Sequence, residues 1–597
     1  MKPSISRNWD LDALYEGGST SAALQEKISS LDSEISRLSE ALKPATSEAQ
    51  KMTVMLRDIQ YVMSRWLEIE DFSVCIYSQN TADPHAAQLL EQVNTMKSKM
   101  KTLHALLNRT LADLDEGKWQ ELLSQEGIEK IAFSLEERRR KVKDRLQLEI
   151  EQAINALSVN GFDGWEQLHN QLFNQLQIPL GQTGQTKEHS IGSALNQALY
   201  DKDRKKRTQA AKAITQVCSA DEETFAVILN RIAGYRLELY QQRGWDNLLK
   251  EALEQNRIQE KSVQSMLAAL EECQPLFRDY LQRKKELLNV DDMRWFDLEV
   301  PCFETDKKFP YGEAVSIIVS QFRNLSVKLG EFAEKAFQSN WIESENRPGK
   351  AEGAFCAALP LAKESRIFLT YRENYFDVIT LAHELGHAYH NEILHDEPAF
   401  IQEKGTSIEE TASIFMENLV LDAAIEKAGS QDEKLALLEM KISSGLLCVS
   451  TIPNMFHFEK AFYELRKNRL LSAKEIKELL IQSEKKLYEG LVEEHEVYRW
   501  LYIPHIYVTE KAFYNIPYTI GYLFSSGIYA MKKELGDGFM ESYDNLLRNS
   551  GRMTVEQLGR TYLNRDLTEP DFWRTALEPL KAAIEEFMRL TGQERIQ

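Results

Sequence analysis

The chain has 597 residues, 43% of them hydrophobic and 27% charged, with 72 basic against 92 acidic side chains and a net charge of −20. This length exceeds what one hydrophobic core usually serves, so more than one compact unit is expected. The acidic surplus excludes the basic footprint of a nucleic-acid binder and disfavours an anionic membrane surface as partner.

The opening, MKPSISRNWDLDALYEGG, has no apolar core of the signal-peptide kind. Residues 19–43 then place Leu24, Ile28, Leu31, Ile35, Leu38 and Leu42 at steps of three and four among polar residues. That spacing predicts an amphipathic helix, capped by Ser19 or Thr20 and closed by Pro44. Residues 47–78 and 85–112 read the same way. The basic run EERRRKV (136–142) is read as a solvated helix face rather than a binding patch. A break follows at 157–193, where Gly161, Gly164, Pro179, Gly181, Gly184 and Gly192 stand in a polar setting. It predicts a hinge between a helical part, 1–193, and a second helical part, 194–597. Helical spacing resumes over 195–288.

Strand signals gather at GAFCAAL (353–359) and RIFLTY (366–371), followed by a helix from about Val378. From Ser407 the chain again reads as helical, interrupted near Pro453, Pro504 and Pro517. Residues 512–531 carry no charge for twenty positions, long enough for a membrane span. Asn515, Pro517, Thr519, Ser525, Ser526 and four tyrosines instead make it a buried or cleft-lining segment. The expected fold class is mainly α, a multi-helix architecture with one small β-sheet beside the helix that starts near Val378. Six scattered cysteines, with no CxxC pair, give neither a disulfide framework nor a cysteine zinc site. Reduced thiols and a cytoplasmic location are expected.

The chemistry is announced at ITLAHELGHAYHNE (379–392). On a helix, His383 and His387 lie four apart and aim their imidazoles at one point. Zinc accepts two such nitrogens as half of a tetrahedral set. Glu384 lies about 100° around the helix, where a carboxylate takes a proton from a water activated by the metal without ligating the metal itself. A catalytic site also needs a third protein ligand. Downstream acidic residues are Asp396, Glu397, Glu403, Glu409, Glu410 and Glu417. In the helix starting near Ser407, Glu410, Ser413 and Glu417 share one stripe, so Glu410 can reach the metal and Glu417 can orient a ligand. Ser407-x-x-Glu410 is equally a capping box, and Thr406-x-x-Glu409 another. His390 and His395 compete for the third position. The extended HExxHxxGxxH pattern fails, because His390 stands at its glycine and Ile393 at its last histidine, which favours a glutamate ligand.

The segment TLAHELGHAYH, with EETASIFMEN from Glu409, resembles the oligoendopeptidase F branch of the thimet oligopeptidase family of zinc metallopeptidases. GAFC, the opening NWDLDALY and HIYVTEKAFYNIPYTIGYLFSSG (505–527) extend the likeness over most of the chain. The resemblance implies a zincin-like peptidase with a deep substrate channel, for which 1–193 would form a wall or lid and 194–597 the catalytic part. It implies one Zn2+ per chain on His383, His387 and Glu410, with Glu384 as base. It implies that Gly353, Ala354, Phe355 and Tyr514 face substrate, and that His505, Tyr518 and Tyr522 assist catalysis. Tyrosine hydroxyls on an apolar surface suit that task, since peptide hydrolysis needs donors for a developing oxyanion.

The expected function is zinc-dependent endopeptidase cleavage of short oligopeptides, which would be the partners of a protein that binds neither nucleic acid nor membrane. The strand at 353–357 would hold substrate backbone by strand addition. The alternatives are a zinc carboxypeptidase, and a non-catalytic helical peptide-binding protein with an inert metal site.

Overall fold

The apolar spacing near the N-terminus is realised as packed helices. A computed structural model describes residues 5–43, 48–181, 187–305 and 307–592. Helix Ala22–Leu42 buries Leu24, Ile28, Leu31, Ile35, Leu38 and Leu42, the predicted stripe. Its cap is Ser21, whose side chain accepts from the Leu24 N–H. Ser19 and Thr20 are excluded from that role because Gly18–Thr20 forms a 3-10 turn ahead of it. Helices Ala49–Gln79 and Pro84–Asp113 follow, the second opened by Asp83, which accepts from the His85 N–H. Pro44 and Gly184 lie outside the described residues.

The chain divides into two compact units, each assembled from separate stretches. One comprises Met1–Asp144, Asp306–Ala424 and Met531–Arg565; the other comprises Arg145–Thr305, Ile425–Ala530 and Asp566–Gln597. A single boundary at residue 193 does not describe this division. The glycine-marked stretch lies inside the second unit, where Gly161, Gly164 and Gly192 are helical. Packing explains why. Helix Asp163–Gln175 lies against the long helix Arg204–Gln242. Its fully buried His169 hydrogen-bonds the Leu501 carbonyl at 3.0 Å and stacks on Tyr507 at 3.7 Å between ring centroids.

In the first unit the basic run falls on helix Ala132–Lys143 and is not a solvated face. Glu137, Arg138 and Arg139 are buried. Arg138 donates to Glu403 at 2.5 Å; Arg139 donates to Glu116 at 3.1 Å and to the Leu114 carbonyl at 2.8 Å. Long aliphatic stems let these guanidiniums reach partners from a buried position. The same unit holds a three-stranded sheet in the order Ile342–Glu343, Glu364–Phe368, Phe355–Leu359. The last two strands are antiparallel, with Phe355 opposite Phe368 and Leu359 opposite Glu364, so Phe355–Leu359 is an edge strand.

That sheet is the expected one, and among the described residues there are two more. Gln177–Leu180 pairs with Lys187–Ser190, and Met293–Arg294 with Val492–Glu494, both in the second unit. Strands of two to four residues are too short to show a period in sequence. Pro453 does not interrupt its helix: Gln431–Leu446, a π-turn at Leu447–Thr451 and Ile452–Arg466 run on, with the proline in the first turn of the last. This continuous stretch is, among the described residues, the one long and apolar enough to cross a membrane by length and composition. The charge-free 512–531 forms much of helix Ile516–Leu535, and Ile520, Leu523, Phe524 and Ile528 are fully buried.

One charge pair anchors the second unit's core. Lys284 is fully buried and donates to Glu439 at 3.0 Å; the other Glu439 oxygen accepts from the Cys302 and Phe303 N–H groups at 2.8 and 3.0 Å. Glu439→Ala therefore strands an ammonium and two amides. It is expected to cost about 3–5 kcal/mol, read as a lowered denaturation midpoint. Glu578→Ala, which removes the more exposed Lys581 pair, is expected to cost under about 1 kcal/mol.

Candidate metal centre

The HELGH motif sits on helix Tyr375–Leu394, which starts three residues earlier than the spacing suggested. The Asn374 side chain caps it by accepting from the Asp377 N–H at 2.9 Å. Along 375–390 the helix is buried at every position except Phe376, Thr380, His383 and His387. The two histidines thus emerge on the one open line of an otherwise enclosed helix.

Their Nε2 atoms lie 3.1 Å apart. Glu410 Oε2 lies 3.3 Å from His383 Nε2 and 3.4 Å from His387 Nε2. Tetrahedral zinc with bonds of about 2.0–2.1 Å sets its ligand atoms about 3.3 Å apart, so this triangle has the edges such an ion requires. Glu410 lies between a 3-10 turn, Thr406–Ile408, and helix Thr411–Lys427. The helix begins one residue after Glu410, so this carboxylate does not occupy the third helical position that a box with Ser407 requires. The Ser413 hydroxyl donates to Glu410 Oε2 at 2.8 Å and holds it toward the imidazoles.

Glu417, two turns further on, accepts from Nδ1 of His383. That bond fixes a proton on Nδ1 and turns Nε2 toward the triangle, where a metal would take the place of the proton Nε2 shares with Glu410. Two imidazole nitrogens and a carboxylate oxygen directed at one point need either shared protons or a metal ion among them. The donor set therefore fits a divalent ion, and it has the nitrogen–oxygen character that suits zinc. His390 is not part of it: its Nε2 faces Ser550 Oγ at 3.0 Å and the Leu547 carbonyl at 3.3 Å. His395 lies 3.6 Å from Glu392 instead.

What brings the two helices together is Gly386. A Cβ there would come within 2.6 Å of the Ala412 carbonyl oxygen and 2.6 Å of Ser413 Cα. The helices cross backbone to backbone at the middle of the motif, and this contact carries Glu410 and Glu417 to the histidines. Neither Gly386 nor Ser413 was picked out for a role by spacing. The signals were present: a glycine between the two histidines, and a serine three residues after the carboxylate.

Burial sets the electrostatics. It disfavours the imidazolium of His383, but hydrogen bonds to Glu410 and Glu417 outweigh it and hold this pKa well above the usual imidazole range. Burial likewise opposes charge on Glu410, yet the two imidazoles hold its carboxyl far below the usual carboxylate range. Glu384 is 5% exposed. Desolvation lifts its carboxyl above the ordinary range, and the imidazoles offset this only in part. Among the described residues its Oε2 is buried without a hydrogen-bond partner. A buried, unpartnered carboxylate oxygen of raised basicity is a proton acceptor in waiting.

The remaining sequence-derived candidates fall into two groups. Gly353 adopts φ 94°, a left-handed turn entering the edge strand, and Ala354 beside it is exposed. Phe355 is half-buried: its ring stacks on Phe368 at 5.1 Å and packs against the first unit's core. Its backbone faces Phe368 across the sheet. In the second unit, His505, Tyr514 and Tyr518 form a cluster with ring centroids 5.4–5.7 Å apart, and His505 Nε2 lies 3.3 Å from the Tyr518 hydroxyl. Tyr522 is separate in character: it is 8% exposed, and its hydroxyl packs against Gly445 of helix Gln431–Leu446.

Comparison with known proteins agrees with the motif. The model of Peptidase family M3 matches residues 197–576, and that of Oligopeptidase F matches 111–177. An oligoendopeptidase F homolog of Lactococcus lactis is 24% identical over 54% of this chain; the match spans 54% of that relative, about half its length. A solved protein of Chlamydophila abortus superposes with a TM-score of 0.84 at 17% identity, over 98% of this chain and 99% of its own. The oligoendopeptidase-F of Enterococcus faecium gives 0.71 at 17%, over 96% and 99%. These likenesses establish the mainly α fold.

Gly386→Ala is expected to force the helix crossing apart at a cost of about 1–3 kcal/mol and to lower bound metal below one ion per chain, read by elemental analysis and thermal denaturation. Glu417→Gln is expected to keep the fold and weaken metal affinity about 10–100-fold, read by competition with a chromophoric chelator.

Proposed function

This chain belongs to peptidase family M3, and from that premise we propose that it is a zinc-dependent endopeptidase acting on short oligopeptides. The observation that carries the reading is the triangle of His383, His387 and Glu410 with the unpartnered Glu384 carboxylate beside it. A purely structural metal site would use four protein ligands and would leave Glu384 idle.

When bound, zinc supplies Lewis acidity, polarising the scissile carbonyl and making a water a stronger acid. The rest is the work of side chains. Glu384 accepts the proton of the attacking water and delivers it to the departing amine. Its burial raises that carboxylate's basicity, which favours taking the proton. Glu417 holds the His383 ring through Nδ1, so the metal-facing nitrogen cannot rotate away. The outer edge of Phe355–Leu359 binds substrate main chain by strand addition at Gly353 and Ala354, ahead of the Ala358 N–H, which already donates to Asp71 at 2.5 Å. Backbone pairing of this kind asks little of substrate sequence.

Tyr518 is the preferred donor to the developing oxyanion, supported by its half-buried side chain and its hydroxyl 3.3 Å from His505 Nε2. Tyr514 lines the substrate beside it. Tyr522 is the second candidate, its hydroxyl already packed at Gly445.

Cleavage of quenched fluorescent oligopeptides tests the reading. Metal-loaded protein is expected to cut internal bonds, and Glu384→Gln to lose at least about 10⁴-fold in kcat while keeping its metal. Release of single C-terminal residues alone would establish a carboxypeptidase. Metal-replete protein inert toward varied peptides would establish the non-catalytic alternative. Tyr518→Phe is expected to lower kcat about 10²–10³-fold with little change in KM, and Tyr522→Phe less than about tenfold.

A further inference from the structure

The open line on the motif helix does not stop at the metal ligands. Phe376, Thr380, His383 and His387 follow one another at steps of four, three and four, and along 375–390 no other side chain escapes burial. Such steps keep all four on one face. Phe376 is 64% exposed, whereas its neighbour Tyr375 is 5% exposed and packs edge-on against Phe309 at 4.9 Å. A single exposed phenylalanine is ordinary on a protein surface. This one stands in register with two metal-facing histidines, at the end of a helix that is otherwise enclosed.

Distance gives the position a meaning. Seven residues at 1.5 Å rise place Phe376 about 10 Å along the helix axis from His383. An extended peptide advances about 3.3 Å per residue, so that span equals about three residues of substrate. Thr380, between them, turns its hydroxyl back to the Phe376 carbonyl at 3.1 Å. It therefore raises no obstacle and no competing polar contact along the line.

We infer that Phe376 is an apolar subsite, whose ring receives a large aliphatic or aromatic side chain about three residues from the bond that is cut. The inference rests on the proposed oligopeptide hydrolysis and adds a side-chain preference to the backbone pairing described above. The contact is reversible burial of apolar surface, so it acts on substrate binding rather than on the chemical step.

The test uses the full-length, metal-loaded chain and a set of otherwise polar oligopeptides with one leucine moved through the second, third and fourth positions on each side of the scissile bond. The wild-type chain is expected to favour leucine at one of these positions about tenfold in kcat/KM. Phe376→Ser is expected to erase that preference through KM, leaving the other peptides within about twofold, and Phe376→Leu to retain most of it. A flat leucine scan in the wild-type chain, or a preference untouched by Phe376→Ser at equal metal content, overturns the inference while peptide cleavage itself stands. Absence of cleavage for every peptide overturns the hydrolase reading instead, and the subsite with it.

Discussion

The site depends on two helices meeting at backbone distance. One presents two imidazoles; the other presents Glu417 and is preceded directly by Glu410, and neither half brings three donors together alone. Gly386 permits the meeting, because any Cβ there would run into the Ala412 carbonyl and Ser413 Cα. The consequence is geometric. Glu410 Oε2 comes within 3.4 Å of both imidazole Nε2 atoms, and Glu417 reaches the far side of the His383 ring. A looser crossing would leave the same residues with the same spacing in sequence and no common point in space.

The crossing also creates the site's electrostatic tension. Three acidic side chains, Glu384, Glu410 and Glu417, are drawn to two histidines in a largely buried place. Two of those carboxylates are engaged: Glu410 with both imidazoles and Ser413, Glu417 with His383 Nδ1. Glu384 keeps a buried oxygen without a partner. Burying a carboxylate this way is costly unless something answers it. A cation in the triangle lowers the cost for all three, and an exchangeable proton on Glu384 lowers it further. The arrangement is thus easier to understand as a place for a metal and a moving proton than as a structural charge cluster.

Much of this was legible, for local reasons. HExxH works because two ligands share one helix, so residue spacing alone implies convergence. The edge strand was visible because strand-forming residues cluster at 353–359. The third corner of the triangle was harder, since a carboxylate just ahead of a helix looks the same whether it caps the helix or faces the two imidazoles. Only the position of the helix start at Thr411 and the distances to both imidazoles separate the two. The division of the chain was not legible at all. Each unit joins three separate stretches of the chain, and the glycines at 161, 164 and 192 are absorbed into helices of the second unit. Arg138 and Arg139 misled for a related reason: their charges are answered by Glu403 and Glu116, acidic partners that the basic run itself does not show.

The most direct test of the account is anomalous diffraction at the zinc edge from crystals of the metal-loaded protein. The account predicts one strong peak per chain, about 2.0–2.2 Å from His383 Nε2, His387 Nε2 and a Glu410 carboxylate oxygen, with Glu384 beside it but unligated. A peak held by other side chains, a fourth protein ligand closing the site, or no peak between these three residues would contradict it.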